Sequence, residues 1–268
     1  MTTPTSPTNL EVDRPRTPTE FRQQRTVETL HFATRLPDSR SIRVLDLEPG
    51  TWDEPISCSL RTVHLDEKSL HYGAISYVWG DTTNRATIFC DRLNVSITRN
   101  LLEALQRFRA HDTMRTLWAD AVCINQGDTK ERTSQVRVMG AIYRRASQVL
   151  VWLQHEEDEV VRAALNAICR YRDTQPTSTK PNKRVSYRLH GREVTEFGEV
   201  DSSETQSSAI AAFSSVGRSA WFSRGWVVQE VLLSNAACAH WGHADFDFEW
   251  IRLTIIVPIP QLDCIQFQ

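Results

Sequence analysis

Residues 72–81 read Tyr-Gly-Ala-Ile-Ser-Tyr-Val-Trp-Gly-Asp. Apolar side chains fall on both parities of this run instead of on alternate positions. Such a strand is covered on both faces, as in the middle of a parallel sheet. Gly80 and Asp81 end it with a turn. Downstream, residues 116–119 (TLWA) and 148–153 (QVLVWL) are equally short and apolar, and each is followed by helical spacing. These strands are expected to be neighbours, with 236–240 in the same sheet. Upstream, 42–47 (IRVLDL) and 58–65 (CSLRTVHL) alternate and read as strands. Residues 88–90 and 93–97 read as a hairpin about Asp91-Arg92.

Between these strands lie helices. Thr98 is placed as an N-cap, with Leu101, Leu102, Leu105 and Phe108 at helical spacing behind it. Helices are also expected over 131–146, over 155–171 with an acidic first turn, and over 207–216. Alternation of strand and helix gives an α/β fold: a mainly parallel central sheet with helices on both faces. Residues 173–206 are polar, contain Pro176, Pro181, Gly191 and Gly198, and read as a variable loop insertion. Residues 1–24 are rich in Thr and Pro and read as a disordered segment.

The bulk chemistry excludes several classes. The chain has 268 residues with a net charge of −2, and no stretch is strongly basic, so no nucleic-acid partner is expected. No apolar run approaches the roughly 20 residues that span a bilayer, and the first residues carry no apolar core of a secretory signal. Six scattered cysteines without a C-x-x-C pair read as reduced thiols in a cytoplasmic protein. Phosphate-binding glycine loops and a nucleophile elbow are both missing. Cys238, His240 and His243 lack further ligands at suitable spacing, so no metal is assigned to them.

Three blocks carry a family resemblance: YGAISYVWGD at 72–81, LWADAVCINQGD opening the stretch 117–153, and WFSRGWVVQEVL at 221–232 followed by His240-Trp241-Gly242. Together they resemble the heterokaryon incompatibility (HET) domain, over roughly residues 40–243. The domain is set at 25–250, leaving 251–268 as an atypical or truncated tail with Pro258 and Pro260. The resemblance implies a fungal domain that triggers programmed cell death after non-self recognition. It implies a homo-oligomer or a separate recognition protein as partner. HET domains are in turn distantly similar to Toll/interleukin-receptor (TIR) domains, which implies a TIR-like, flavodoxin-like core with insertions. Some TIR enzymes cleave NAD with a glutamate in a W-x3-E motif. Trp226 and Glu230 have that spacing, with Val227 where those enzymes often carry Cys. The implied activity is NAD glycohydrolase, with NAD as substrate and no cofactor required. The alternatives are a non-catalytic homotypic interaction module and an inactive family member.

The candidate residues each have two readings. Glu230 sits among Trp226, Val227, Val228, Val231 and Leu232. Burial would raise its pKa and suit it to stabilise an oxocarbenium-like centre, or it is a structural acid paired with Arg224 or Arg218. Asp120, Asn125, Gln126 and Asp128 follow a strand's carboxyl end, where open α/β sheets bind ligands, or they close local Asx turns. Asp81 and Trp79 stand at another strand end, in a ligand site or a plain turn. Arg224 either meets a phosphate through its guanidinium fork or pairs with Glu230. Asp81, Asp120 and Glu230 are expected to converge. Cys123 reads as a buried strand-end thiol, and the eight Trp as core and cleft walls.

Overall fold

The computed structural model describes residues 35–174, 186–197, 202–225 and 227–249. The expectations for 1–24, for the tail 251–268 and for Trp226 lie outside the described residues.

Among the described residues, eleven strands form one sheet. In chain order they are β1 (Ser41–Leu47), β2 (Ser57–His64), β3 (Gly73–Ser76), β4 (Arg85–Cys90), β5 (Leu93–Thr98), β6 (Arg115–Trp118), β7 (Gln148–Gln154), β8 (Tyr187–Leu189), β9 (Arg192–Val194), β10 (Ala237–Trp241) and β11 (Ala244–Asp247). Across the sheet the order is β5-β4-β2-β1-β6-β3-β7-β10-β11-β8-β9. The helices are α1 (Arg99–Phe108), α2 (Asp120–Cys123), α3 (Thr129–Arg145), α4 (Asp158–Thr174), α5 (Ser202–Gly217) and α6 (Val227–Leu232), with a 3-10 turn at Ala220–Ser223.

The expected neighbours are found. β6, β3, β7 and β10 lie side by side and parallel. Val149 to Leu153 are buried without alternation, as burial on both faces demands. The wider expectation of a mainly parallel sheet is corrected. β1 pairs antiparallel with β2 and β6, β4 with β5, β10 with β11, β11 with β8, and β8 with β9. Beyond the central four strands, among the described residues only β2 and β4 are parallel. β1–β6 and β11–β8 pair across long stretches of chain, whereas β4–β5, β8–β9 and β10–β11 are joined by two-residue turns, which permit only antiparallel pairing. Asp91 and Arg92 form one such turn, both at positive φ (49° and 63°).

β1 departs from its alternating appearance, because all seven of its residues are buried, including Ser41, Arg43 and Asp46. Its polar groups are hydrogen-bonded: Asp46 accepts from Thr116 Oγ1 at 2.6 Å and from Arg61 at 2.6 Å. Residues 173–206 also differ from a plain loop. They contribute the edge hairpin β8–β9, held by buried Tyr187 and Leu189, and the start of α5. Thr98 precedes α1 in an extended conformation but makes no side-chain cap bond. Asp128 does cap α3, accepting from Lys130 N and Glu131 N. Trp118, Trp152, Trp221 and Trp241 are fully buried core, while Trp79 and Trp52 are exposed at 37% and 39%. The five described cysteines carry free thiols. Cys123 is buried, and burial pushes its thiol up to about 12, which suits packing and not nucleophilic work.

Candidate functional site

The carboxyl ends of parallel β3 and β6 point the same way, and the polar residues that follow them meet there. Ser76 is the last residue of β3 and is fully buried. Asp120 opens α2, two residues past the end of β6. Arg224 follows the 3-10 turn, and Glu230 lies on α6.

Glu230 is 1% exposed. Its Oε1 accepts from Arg224 Nη2 at 2.9 Å, and its Oε2 accepts from Arg224 Nη1 at 3.2 Å and from the Ser76 hydroxyl. The indole of Trp221 donates to Ser76 Oγ at 2.8 Å and so orients that hydroxyl toward the acid. Arg224 is the pair's link to solvent, with a side chain 21% exposed. Above it, half-buried Asp120 accepts from the Trp79 indole at 3.0 Å and from its neighbour Ala121 N. The Tyr77 hydroxyl is buried against Asp120 without a well-formed hydrogen bond.

The electrostatics follow from this crowding. Burial holds the Glu230 carboxyl above its usual range; Arg224 and Ser76 pull it back, and the negative charge of Asp120 adds to the rise. Asp120 is likewise raised by burial, against the opposing pull of Trp79, Arg224 and Tyr77. Burial raises the phenols of Tyr77 and Tyr143, with Asp120 next in effect at Tyr77 and Glu230 at Tyr143. Two acids with raised pKa values around one arginine can hold or pass a proton, and can present a carboxylate to a developing cation.

Other sequence-predicted residues are used differently. Asp81 is exposed and turns onto its own loop, accepting from Thr83 N at 2.8 Å and Thr83 Oγ1 at 2.6 Å. Of the three acids expected to converge, Asp120 and Glu230 lie close enough for the charge of Asp120 to act on Glu230, while Asp81 is hydrogen-bonded within its own loop. Asn125 closes an Asx turn with Gly127 N and Asp128 N. Gln126 Nε2 donates to the Asp120 backbone carbonyl at 2.8 Å and so buttresses the loop beneath the acid. Ser76, Tyr77 and Trp221 were not singled out from the sequence. Ser76 carried a usable signal, a lone hydroxyl inside an otherwise apolar strand. Cys238, His240 and His243 do not gather: the Cys238 thiol donates to Phe246 O, His240 pairs with Asp245 at 2.7 Å, and His243 turns to Asp158 at 3.0 Å.

Comparison with known proteins matches the sequence that carries this site to a family model. Residues 72–230, which run from the strand bearing Ser76 to the helix bearing Glu230, match the model described as "Heterokaryon incompatibility protein (HET)". The chain is 35% identical over 135 residues to "Heterokaryon incompatibility protein 6, OR allele" of Neurospora crassa. That alignment covers 45% of this chain and 20% of the relative, so the chain corresponds to about a fifth of the relative's length. No solved structure matches the chain. The family match spans more than half of the chain, and the protein belongs to the heterokaryon incompatibility (HET) family.

Proposed function

We propose that this chain is a fungal incompatibility signalling domain that triggers cell death, and that it acts through the centre formed by Ser76, Asp120, Arg224 and Glu230. The observation that carries this reading is the meeting of all three sequence blocks. Ser76 and Trp79 come from the first, Asp120 from the second, and Arg224 and Glu230 from the third. Folding alone would be served as well by apolar residues there, since a buried ion pair is a weak source of stability.

The chemistry that suits the centre is hydrolysis of the glycosidic bond between nicotinamide and ribose in NAD. The bond to nicotinamide breaks, a water oxygen bonds to the ribose carbon, and the water's proton is released. The Glu230 carboxylate stabilises the oxocarbenium-like ribose. The fork of Arg224 suits the diphosphate. A diphosphate that takes Arg224 away from Glu230 frees the carboxylate as the substrate arrives. The partly exposed ring of Trp79 offers a surface for a base.

The test is expression of wild type and Glu230→Ala in a fungal host, measuring NAD content and viability. Loss of NAD and of viability with wild type only supports the reading; equal loss with both overturns the role of Glu230. One observation favours a non-catalytic interaction module instead, because both Glu230 oxygens are already committed to Arg224 and Ser76. In that case viability falls while NAD stays constant.

A further inference from the structure

A second cluster lies away from this centre, where three separate chain segments meet. Asp158 is the first residue of α4, His190 sits in the β8–β9 turn, and His243 in the β10–β11 turn. Asp158 Oδ2 is 2.5 Å from His190 Nε2, and Oδ1 is 3.0 Å from His243 Nδ1. The two imidazoles stack, with centroids 4.4 Å apart and planes inclined by 26°. One donor atom from each residue lies within 4.8 Å of the others.

The backbone fixes the three segments together. His190 N donates to His243 O at 3.2 Å, and Gly242 N to Gln154 O at 2.9 Å. Gly242 has φ +55°, and a Cβ there would come within 2.6 Å of the Glu156 carbonyl oxygen. Only glycine lets the β10–β11 turn close on the chain entering α4, which brings His243 to Asp158. His190 itself adopts φ +49°, a left-handed conformation that L residues seldom take outside such turns.

We propose that Asp158, His190 and His243 form a binding site for a divalent ion of the zinc class. Two imidazoles and one carboxylate are the donor set that borderline ions prefer, and three protein ligands leave a fourth position to solvent. Zinc–nitrogen and zinc–oxygen bonds of about 2.0–2.2 Å place tetrahedral donor atoms about 3.3–3.6 Å apart. Small side-chain rotations reach that spacing. His190 is free to make one, with a side chain 53% exposed. The ion would tie the β8–β9 edge hairpin to β10–β11 and to the start of α4. His190 also lines an open cavity of about 610 Å³ with Arg162, Asn166, Arg192 and Glu196.

The test is titration of the purified chain with Zn²⁺ by calorimetry at neutral pH, repeated with His190→Ala and His243→Ala. Co²⁺ absorption serves as a second readout. The expected result is one ion per chain, at least tenfold weaker binding in each variant, and Co²⁺ bands without thiolate charge transfer. Zinc should raise the melting temperature of wild type and not of His190→Ala. His190 lies on an exposed turn, so that variant keeps its fold, checked by circular dichroism. Binding that survives both substitutions, thiolate bands, or no stoichiometric binding by wild type would overturn the proposal.

Discussion

Two arginine–glutamate pairs with a buried acid, Arg43–Glu131 and Arg224–Glu230, stand out among the described residues and serve different ends. Arg43 of β1 meets Glu131 of α3 through both guanidinium nitrogens, at 2.5 and 3.1 Å, and both side chains are sealed, at 5% and 7% exposure. Glu131 also accepts from Asn125 N at 2.8 Å, and Arg43 reaches the Cys123 carbonyl. That pair locks the loop after α2 onto the sheet. Arg224 and Glu230 have the same fork geometry, but only the acid is sealed, and a second acid, Asp120, adds its charge to the centre. A sealed pair has no use beyond structure. A pair with a reachable arginine can exchange its partner for an anion from solution.

The largest effect is expected at the sealed pair. Arg43→Ala leaves Glu131 buried without its cation and should cost about 3–5 kcal/mol, read from urea denaturation. A cost below about 1 kcal/mol would show that water reaches the site and that the two pairs do not differ. Arg224→Ala comes next. Its side chain is partly hydrated, so the loss should be about 1–3 kcal/mol, and Glu230 can relieve its charge by taking up a proton. If Arg224→Ala proves as costly as Arg43→Ala, the centre is structural and the proposed exchange of partners fails. Trp79→Phe removes a single hydrogen bond to a half-buried acid and should cost about 0.5–1.5 kcal/mol. On the proposed function it weakens NAD turnover without abolishing it.

The two pairs were unequally legible in the sequence. Glu230 and Arg224 lie six residues apart in one motif, and Asp120 follows an apolar strand, so local reading reached them. Arg43 and Glu131 are 88 positions apart, and nothing in IRVLDL says which helix will cover it. The same limit explains the sheet. Residues 74–78, 116–119 and 149–153 show burial on both faces through their own composition. The antiparallel flank depends on which strand each turn returns to, and side-chain periodicity does not carry that. The β8–β9 hairpin was hidden by polar composition, although His190-Gly191 between YRL and REV is the turn chemistry of a two-residue hairpin. The lone hydroxyl of Ser76 in an apolar strand signals a buried polar partner, but the sequence does not say that the partner is Glu230, 154 positions away.

The smallest expected effect is a slope in the dependence of stability on pH. Glu230 and Asp120 are both held above their unfolded values of about 4.5 and 3.8, chiefly by burial. Between each unfolded value and the raised folded one, the native state binds more protons than the unfolded chain. Stability therefore falls as pH rises through that window and levels off above it. His240 and Asp245 act in the opposite direction. Burial lowers His240, so protonation below its ordinary value of 6.5 favours unfolding. Burial tends to raise Asp245, but the His240 bond and the charges of His240, Arg107 and Arg188 outweigh it, so that acid loses stability as pH falls. The wild-type curve mixes these trends, and a difference between proteins separates them. Asp120→Asn combined with Glu230→Gln titrates at neither position of the centre, while His240 and Asp245 are unchanged. The difference between the amides and the protonated acids shifts the whole curve by a constant, and the relative slope comes from the two titrations alone. From about pH 4, where the unfolded acids titrate, up through the raised values of the folded ones, the double variant should gain stability relative to wild type as pH rises. Parallel curves would mean that water stabilises both carboxylates as ions, and that Arg224 and Glu230 form an ordinary surface pair with nothing held in reserve for a ligand.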